Sequence, residues 1–344
     1  ACHEGSRREN KRLEIYNLAK LIFEPFQYLF FNYEFDGFTL FYIKIRANFK
    51  FSFHRALVAN FVALCSRTPN SRTFLAVKHS ELYRGSVGYG SLQATEGVNL
   101  PRNLPFRDTA DRRVATHLRD FDEHLLFASA NEPNVSDATQ MAVLTSYHQT
   151  FINAVRSTGG KNSYRVLVIQ GPSTDIETTN RLMSVLPSDN VADRLMVEIH
   201  YYTPWNFCGL TEDATWGKMF YYWGKDYHST TDPERNATWG EEETVDANFR
   251  LMKTKFVDHG IPVILGEYSA VRRSALTGDA LTNHLASRAF FFKYVTKQAK
   301  ANGLIPFYWD NGATGNNGSA LFNRKTNTVF DQQALDALMQ GATE

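Results

Sequence analysis

Apolar residues in this chain come in short runs that end in polar residues, and the pattern is clearest after about residue 108. Runs of four to eight apolar residues bounded by turn-forming residues are typical of buried strands. Five segments fit: Leu125–Pro133, Arg165–Ile169, Leu195–Tyr202, Ile261–Tyr268 and Leu304–Trp309. Between them lie segments of helical period. Strands that alternate with helices predict βαβ units and a parallel sheet.

Helices are predicted on both sides of each of these strands. One of them begins at Ser136 or Asp137, which caps it, and stops at Gly159–Gly160. The others cover Thr109–Asp122, Ile176–Leu186, Thr244–His259, Asp279–Ala301 and Asp331–Met339. The helix that stops at Gly159–Gly160 places six residues on one face: Met141, Leu144, His148, Phe151, Ile152 and Val155. We therefore expect His148 to be packed in the core.

The strand ends carry the polar and aromatic residues, which favours a (β/α)₈ TIM barrel, because such barrels build their sites at the carboxyl ends of the strands. An open doubly wound sheet is the alternative. A nucleotide site in that fold would need a glycine-rich first turn, and the chain has no GxGxxG or GxxxxGK motif. We predict a single (β/α)₈ domain over residues 1–344, with clear β/α units in 113–344.

The first 112 residues have a different character. Phenylalanine and tyrosine are crowded together with lysine and arginine, and neither the helical nor the alternating period is clean. Phe38–Ile45 and Thr73–Val77 are predicted strands, Leu57–Leu64 is a strand or a helix, and residues 84–107 read as loop. The first three β/α units are therefore poorly recognisable, and this atypical third is either highly divergent or foreign, joined near Arg113.

Composition excludes several classes of partner. A net charge of +1 gives no reason to expect nucleic acid or an anionic membrane. The most apolar early stretch, Leu18–Phe31, is too short and too interrupted to span a membrane. Three scattered cysteines and the histidines show no metal-ligand spacing, so no metal is expected. The chain begins with Ala1 and shows no secretory signal, so we expect a processed or recombinant form.

Two glutamates follow buried strands. Glu132 ends the first strand, directly after Asn131, and Glu267 ends the fourth. Two carboxyl groups at one edge of a sheet suit the cleavage of a glycosidic bond, in which one protonates the leaving oxygen and the other attacks the sugar carbon. Both could instead be ordinary acids at helix N-termini, which the helix dipole favours. Glu198 lies in the middle of a strand, where pairing or packing is expected rather than catalysis.

Four motifs in order resemble the family 5 glycoside hydrolases: NEP at 131–133, EIHYY at 198–202, GEY at 266–268 and the strand-ending Trp309. Among them the chain is most similar to bacterial endo-β-1,4-glucanases and xyloglucanases. The resemblance covers roughly Val114 to the C-terminus. It implies a retaining hydrolase that needs no metal and no organic cofactor.

The resemblance implies a role for each matching residue. Glu132 matches the general acid/base and Glu267 the nucleophile, while Asn131 matches the residue that hydrogen-bonds the sugar 2-hydroxyl. His200 and Tyr202 match the pair that orients the two glutamates. Retention requires carboxyl groups about 5–5.5 Å apart, one ionised and one protonated.

Aromatic residues are expected to bind the sugar chain, because their faces suit the apolar faces of glucose rings. Trp309 matches the stacking platform beside the cleaved bond. Trp205 and Trp216 lie in a long loop that holds four of the five tryptophans, and we expect them to bind substrate, although packing of that loop is the alternative. The family also uses an arginine and one or two histidines from its first strands, for which Arg46 and His79 are the candidates.

The expected substrate is a β-glucan polysaccharide with internal β-1,4 bonds. Xyloglucan, mixed-linkage glucan and mannan are alternative substrates. A catalytically impaired glucan-binding protein is the alternative of another class, because the N-terminal third is atypical. The resemblance further implies a monomer that is extracellular, periplasmic or on the cell surface.

Overall fold

The computed structural model describes residues 111–344 in full and, before them, the backbone of four strands. These strands are β1 (Phe26–Phe35), β2 (Phe38–Asn48), β3 (Ala56–Ser66) and β4 (Leu75–Lys78). The first three form an antiparallel sheet in the order β1-β2-β3. Residues 57–64, which the sequence left open between strand and helix, lie within β3.

A six-stranded parallel sheet positions the candidate site. After β4 it contains β5 (Leu125–Ala128), β6 (Leu167–Gln170), β7 (Leu195–Tyr201), β8 (Val263–Tyr268) and β9 (Leu304–Tyr308). The strands lie side by side in sequence order, and every neighbouring pair is parallel. Sequential order without a reversal is that of a barrel wall, not of a doubly wound sheet. All five predicted strands are present, and their carboxyl ends lie along one edge.

Helices connect these strands. They are residues 111–117, Ala138–Ser157, Ile176–Leu182, the short Trp205–Cys208, Glu242–Lys255, Gly278–Ala301 and Gln332–Thr343. A small hairpin of β10 (Phe322–Asn323) and β11 (Thr328–Val329) precedes the last helix. The helix predicted to reach residue 186 ends at Leu182, and the one predicted to reach 259 ends at Lys255, followed by a 3₁₀ turn, Val257–His259.

Local signals explain where the helices begin and end. Asp137 caps its helix, because its side chain accepts a hydrogen bond from the Gln140 amide, and Asp175 and Asp331 cap theirs in the same way. Gly260 follows the 3₁₀ turn in the left-handed conformation, with φ of 77°, which glycine adopts without steric cost.

The core has two sides because side chains alternate along each strand. On one side, Leu126, Ala128, Val168, Met196 and Ile264 form one buried cluster. On the other, Leu125, Phe127 and Leu167 pack against the helices together with Phe151 and Val155. An inward and an outward set on successive parallel strands is the arrangement of a barrel wall, with both faces of the sheet covered. Within the described part of the chain, no helix has the length and apolar character needed to cross a bilayer.

Candidate active site

The carboxyl edge of the sheet brings the predicted catalytic residues together. Glu132 lies four residues after the end of β5, His200 and Tyr202 lie at the end of β7, and Glu267 lies in β8. His200 pairs in register with Glu267, next to a bulge in β8, where Gly266 is the extra residue. The extra residue bends β8 locally, which changes the direction of the side chains next to Glu267.

His200 lies between the two glutamates. Its Nδ1 atom is 2.7 Å from Oε1 of Glu132 and 3.6 Å from Oε2 of Glu267. The ligand-forming atoms of these three residues all lie within 4.8 Å of one another. The side chain of Glu132 is 45% exposed, whereas that of Glu267 is 8% exposed. One carboxyl group therefore faces the solvent and the other lies at the floor of the site.

Tyr202 holds the buried glutamate. Its hydroxyl donates a hydrogen bond of 3.0 Å to Oε2 of Glu267. Burial, followed by the negative charge of Glu267, raises the pKa of Tyr202 well above its usual range. The tyrosine thus keeps its proton in neutral solution and remains a hydrogen-bond donor to Glu267.

A buried polar network supports His200 from below. Oε1 of Glu198 is 3.2 Å from Nε2 of His200, and Oε2 of Glu198 accepts a 2.7 Å hydrogen bond from Gln170. Gln170 in turn accepts hydrogen bonds from the Ser129 hydroxyl and the Ala130 amide. Glu198 is therefore paired, as its position in the middle of a strand suggested, but its partner is a residue of the site. Sequence reasoning missed this connection, although the two-residue spacing of Glu198 and His200 places both on one face of β7.

The predicted core histidine belongs to the same network. His148 is fully buried, with Nδ1 2.7 Å from the Ser129 hydroxyl and Nε2 3.0 Å from the backbone oxygen of Gln170. Its placement on the apolar helix face was predicted. Its hydrogen bonds connect the helix Ala138–Ser157 to the ends of β5 and β6 and fix both strand ends.

The predicted substrate-binding residues lie beside this centre or on the loop that follows β7. Asn131 is half-buried directly before Glu132. Trp309 is half-buried after β9, and its amide donates to the backbone oxygen of Tyr268. Trp205 is 48% exposed and makes an edge contact with Tyr202, at 6.2 Å between ring centroids.

Trp205 and Trp216 are both exposed, Trp216 at 63%. They belong to a loop that a buried arginine holds in place. Arg273 donates from its guanidinium to the backbone oxygens of Asn206, Leu210 and Phe220. Because the loop is fixed at three points, its exposed indoles can bind a ligand at low entropic cost. Their exposure therefore favours ligand binding over a role in packing the loop.

Among residues 111–344, two groups of donors have the spacing of metal ligands. One is Glu132, His200 and Glu267, and the other is the surface cluster Asp122, Glu123 and His124. The absence of a metal requirement stays a prediction. The arginine and histidine expected from the early strands also stay predictions: the side chain of Arg46, in β2, and all of His79 lie outside the described residues.

Comparisons with known proteins agree with this geometry. The family model for cellulases of glycosyl hydrolase family 5 matches residues 101–315. Endoglucanase A of Paenibacillus barcinonensis is 37% identical over 246 residues, which are 67% of this chain and 58% of that protein. A xyloglucan-specific endo-beta-1,4-glucanase of Bacteroides ovatus is 35% identical over 241 residues, 67% of this chain and 45% of that protein. The chain thus spans about half the length of these curated relatives.

Solved structures show the same similarity. A family 5 xyloglucan-specific beta-1,4-glucanase from a ruminal metagenomic library, in complex with XXLG, aligns with a TM-score of 0.66 at 36% identity, over 74% of this chain and 68% of that one. A broad-specificity endoglucanase from Bacteroides salanitronis aligns with a TM-score of 0.60 at 34% identity, over 70% of this chain and 62% of that one. The predicted (β/α)₈ fold class is confirmed.

Proposed function

Because this chain belongs to glycosyl hydrolase family 5, the cellulases, we propose that it hydrolyses internal β-1,4 bonds of β-glucans with retention of configuration. The observation that carries the proposal is the separation of the two carboxyl groups. A carboxyl oxygen of Glu132 lies within 4.8 Å of one of Glu267. Retaining enzymes hold their carboxyl groups about 5–5.5 Å apart, whereas inverting enzymes leave about 6.5–9.5 Å for a water molecule.

The burial of each glutamate suits one role. In the first step, Glu267 attacks the anomeric carbon while Glu132 donates a proton to the leaving oxygen, which gives a covalent glycosyl-enzyme. In the second step, Glu132 takes a proton from water, and the water displaces Glu267. Glu132 is the more exposed of the two, so both the leaving sugar and the incoming water reach it.

The two residues of β7 assist these steps differently. His200 contacts both glutamates and keeps them at a fixed spacing. Tyr202 donates to Glu267 and orients the attacking oxygen. Both residues hold the two carboxyl groups in the geometry that the reaction needs, and such positioning lowers the reaction barrier.

The polymer is expected to be bound by aromatic faces. Trp309 follows β9 at the same edge of the sheet, and Trp205 touches Tyr202. We expect Asn131, directly before Glu132, to contact the 2-hydroxyl of the sugar that Glu267 attacks. An internal bond of a long chain requires an open cleft, and the exposed loop that carries Trp205 and Trp216 forms part of its wall.

Xyloglucan is the second candidate substrate, because relatives named as xyloglucan-specific are 35–36% identical to this chain. Mixed-linkage glucan and mannan complete the set to be tested. A polymer of this size does not cross a membrane, so we propose that the enzyme, as a monomer, meets it outside the cytoplasm.

Reducing-sugar release from carboxymethylcellulose, xyloglucan, mixed-linkage glucan and mannan tests the proposal, with Glu267→Gln as the matched inactive variant. We expect turnover that the substitution abolishes, with binding of glucan retained because the aromatic surface is unchanged. A folded chain that binds glucan without turnover would instead indicate a binding protein with an incomplete site. Turnover by Glu267→Gln at the parent rate would exclude Glu267 as the nucleophile.

A further inference from the structure

Glu198 is a buried carboxyl group in contact with the catalytic centre but not with the solvent. Its residue is 1% exposed, and its two oxygens face different partners. Oε1 lies 3.2 Å from Nε2 of His200, and Oε2 accepts a 2.7 Å hydrogen bond from Gln170. Withdrawing a carboxylate from water is costly unless its oxygens are hydrogen-bonded, and both oxygens of Glu198 have such partners.

The surrounding residues leave Glu198 little freedom. A Cβ atom on Gly266 would overlap Oε1 of Glu198, so a side chain at position 266 would have to displace the carboxyl group of Glu198. The orientation of Gln170 is fixed as well. Its oxygen accepts from the Ser129 hydroxyl at 2.9 Å and from the Ala130 amide at 2.8 Å, so its amino group must point at Glu198.

We propose that Glu198 is a positioning residue, whose carboxylate accepts a hydrogen bond from Nε2 of His200 and thereby fixes the imidazole with Nδ1 facing Glu132 and Glu267. The effect on catalysis rests on the proposed function. The hydrogen bond itself does not, because it follows from the packing around Glu198.

The proton count at the site follows from this hydrogen bond. With Nε2 protonated, the 2.7 Å contact between Nδ1 of His200 and Oε1 of Glu132 requires one further proton between those two atoms. That proton is the one Glu132 delivers to the leaving oxygen. The negative charge of Glu198 favours its retention, because the proton is shared with the imidazole that Glu198 contacts.

The groups that face this imidazole come from several elements. Glu132 follows β5, Glu198 and Tyr202 belong to the β7 segment, and Glu267 lies in β8. Behind them, hydrogen bonds through Ser129 and Gln170 connect His148 to Glu198. Glu198 is the carboxyl group of this set that lies on the Nε2 side of the ring.

The kinetic test is Glu198→Gln, which keeps the shape and removes the charge. The amino group of Gln170 still needs a hydrogen-bond acceptor. The new side chain therefore turns its oxygen to Gln170 and its amino group to His200. Nε2 of His200 must then accept and carries no proton, so the proton that remains is the one between Nδ1 and Glu132. We expect kcat to fall about 10- to 100-fold, the scale of one hydrogen bond to a charged group, with KM changed less than about threefold. The alkaline limb of the pH–rate profile should move to lower pH.

Glu241→Gln is the matched control. Glu241 also pairs with a histidine, at 2.8 Å from Nε2 of His228, and accepts from the Gly224 amide, at a place outside the catalytic centre. We expect this variant to keep the parent kcat and pH–rate profile. An equal change in both variants, or no change in Glu198→Gln, would overturn the positioning role.

A measurement without substrate separates this inference from the proposed function. The imidazole ¹⁵N spectrum of the folded chain, with the His200 signal assigned from His200→Asn, reports which ring nitrogen is protonated. We expect a protonated Nε2 in the parent and an unprotonated Nε2 in Glu198→Gln. An unprotonated Nε2 in the parent, or the same spectrum in both, would refute the hydrogen bond. If the parent cleaves no glucan, the proposed function fails, and this spectrum still decides the inference.

Discussion

The hydroxyl of Tyr202 donates to Oε2 of Glu267 at 3.0 Å, so the proposed nucleophile is held by a neighbour that keeps its proton. A phenylalanine in its place would leave the packing intact and remove one hydrogen bond to a charged group. We therefore predict that Tyr202→Phe lowers kcat at least tenfold, since such bonds contribute about 1.5–3 kcal/mol. Steady-state kinetics on a soluble glucan measure this, and KM should change much less than kcat.

The adjacent tyrosine provides the control. Tyr201 is buried on the core side of the same strand, and its hydroxyl has no hydrogen-bond partner among the residues that the structure describes. Tyr201→Phe should therefore leave kcat within about twofold of the parent and should not lower stability, because it removes a buried hydroxyl. If Tyr201→Phe loses as much activity as Tyr202→Phe, the loss reflects the packing of β7 and not the hydrogen bond to Glu267.

Because Glu132 is the proposed proton donor, the loss of activity on removing it should depend on the leaving group. Glu132→Ala should lower the rate on β-glucan by at least about 100-fold, the lower end of the range for general acid catalysis. The same variant should form the glycosyl-enzyme from an aryl glycoside with a nitrophenolate leaving group at nearly the parent rate, because that leaving group needs no proton. Burst-phase release of nitrophenol measures this first step. Equal losses on both substrates would contradict the role of Glu132 as the acid.

Trp205 is predicted to contribute to the affinity for glucan. Its indole is half exposed, touches Tyr202 and covers Gly209, so it is rigid before the ligand arrives. In a Glu267→Gln background, which prevents turnover, Trp205→Ala should weaken binding of a soluble cello-oligosaccharide about fivefold or more, the equivalent of about 1 kcal/mol. Isothermal titration calorimetry gives the constant.

Tyr164→Ala is the control for the loss of an exposed aromatic. Tyr164 is 47% exposed and precedes β6, at the amino edge of the sheet, opposite the candidate site. Its removal should leave the affinity unchanged. A similar loss in the two variants would show that the glucan contacts the protein without preference for the carboxyl edge.

The sequence predicts the strands of the sheet because each combines a buried apolar run with turn residues at its ends. It predicts Glu132 and Glu267 because both are charged residues directly after such runs. The partners of Glu198 are harder to predict from the sequence. Its contact with Gln170 depends on the register of β6 against β7, and the close approach of Gly266 appears only when β8 lies beside Glu198.

The sequence pattern also does not predict the residue that holds the loop of Trp205 and Trp216 in place. Arg273 appears in the sequence as one of two adjacent arginines, and nothing local shows that its side chain is buried. This burial lowers the pKa of Arg273 to about 10. Its partners are backbone oxygens more than 50 residues away, and a backbone oxygen carries no signature in the sequence. The loop conformation therefore follows from tertiary contacts, although its aromatic composition already suggested a use.

His284 predicts how stability depends on pH. It is fully buried in the helix Gly278–Ala301, where Nδ1 lies 2.8 Å from the backbone oxygen of Tyr221 and Nε2 accepts from the Arg273 amide at 3.1 Å. Burial lowers the pKa of His284 to about 3. The unfolded chain takes up a proton near pH 6.5, while the folded chain does not until about pH 3, so stability present above pH 6.5 is lost as the pH falls through this interval.

We expect this histidine alone to lower the free energy of unfolding by up to about 1.4 kcal/mol per pH unit between pH 6 and pH 4. His284→Gln keeps a donor and an acceptor but cannot be protonated, so its stability should fall less steeply over that interval, even if it is lower at pH 7. Urea denaturation at pH 7, 6, 5 and 4 measures the slopes. His259→Gln, at an exposed position, is measured beside it as the control for replacing a histidine. If His284→Gln has the parent's slope, the folded protein binds a proton at His284 in this range, and its buried neutral state is refuted.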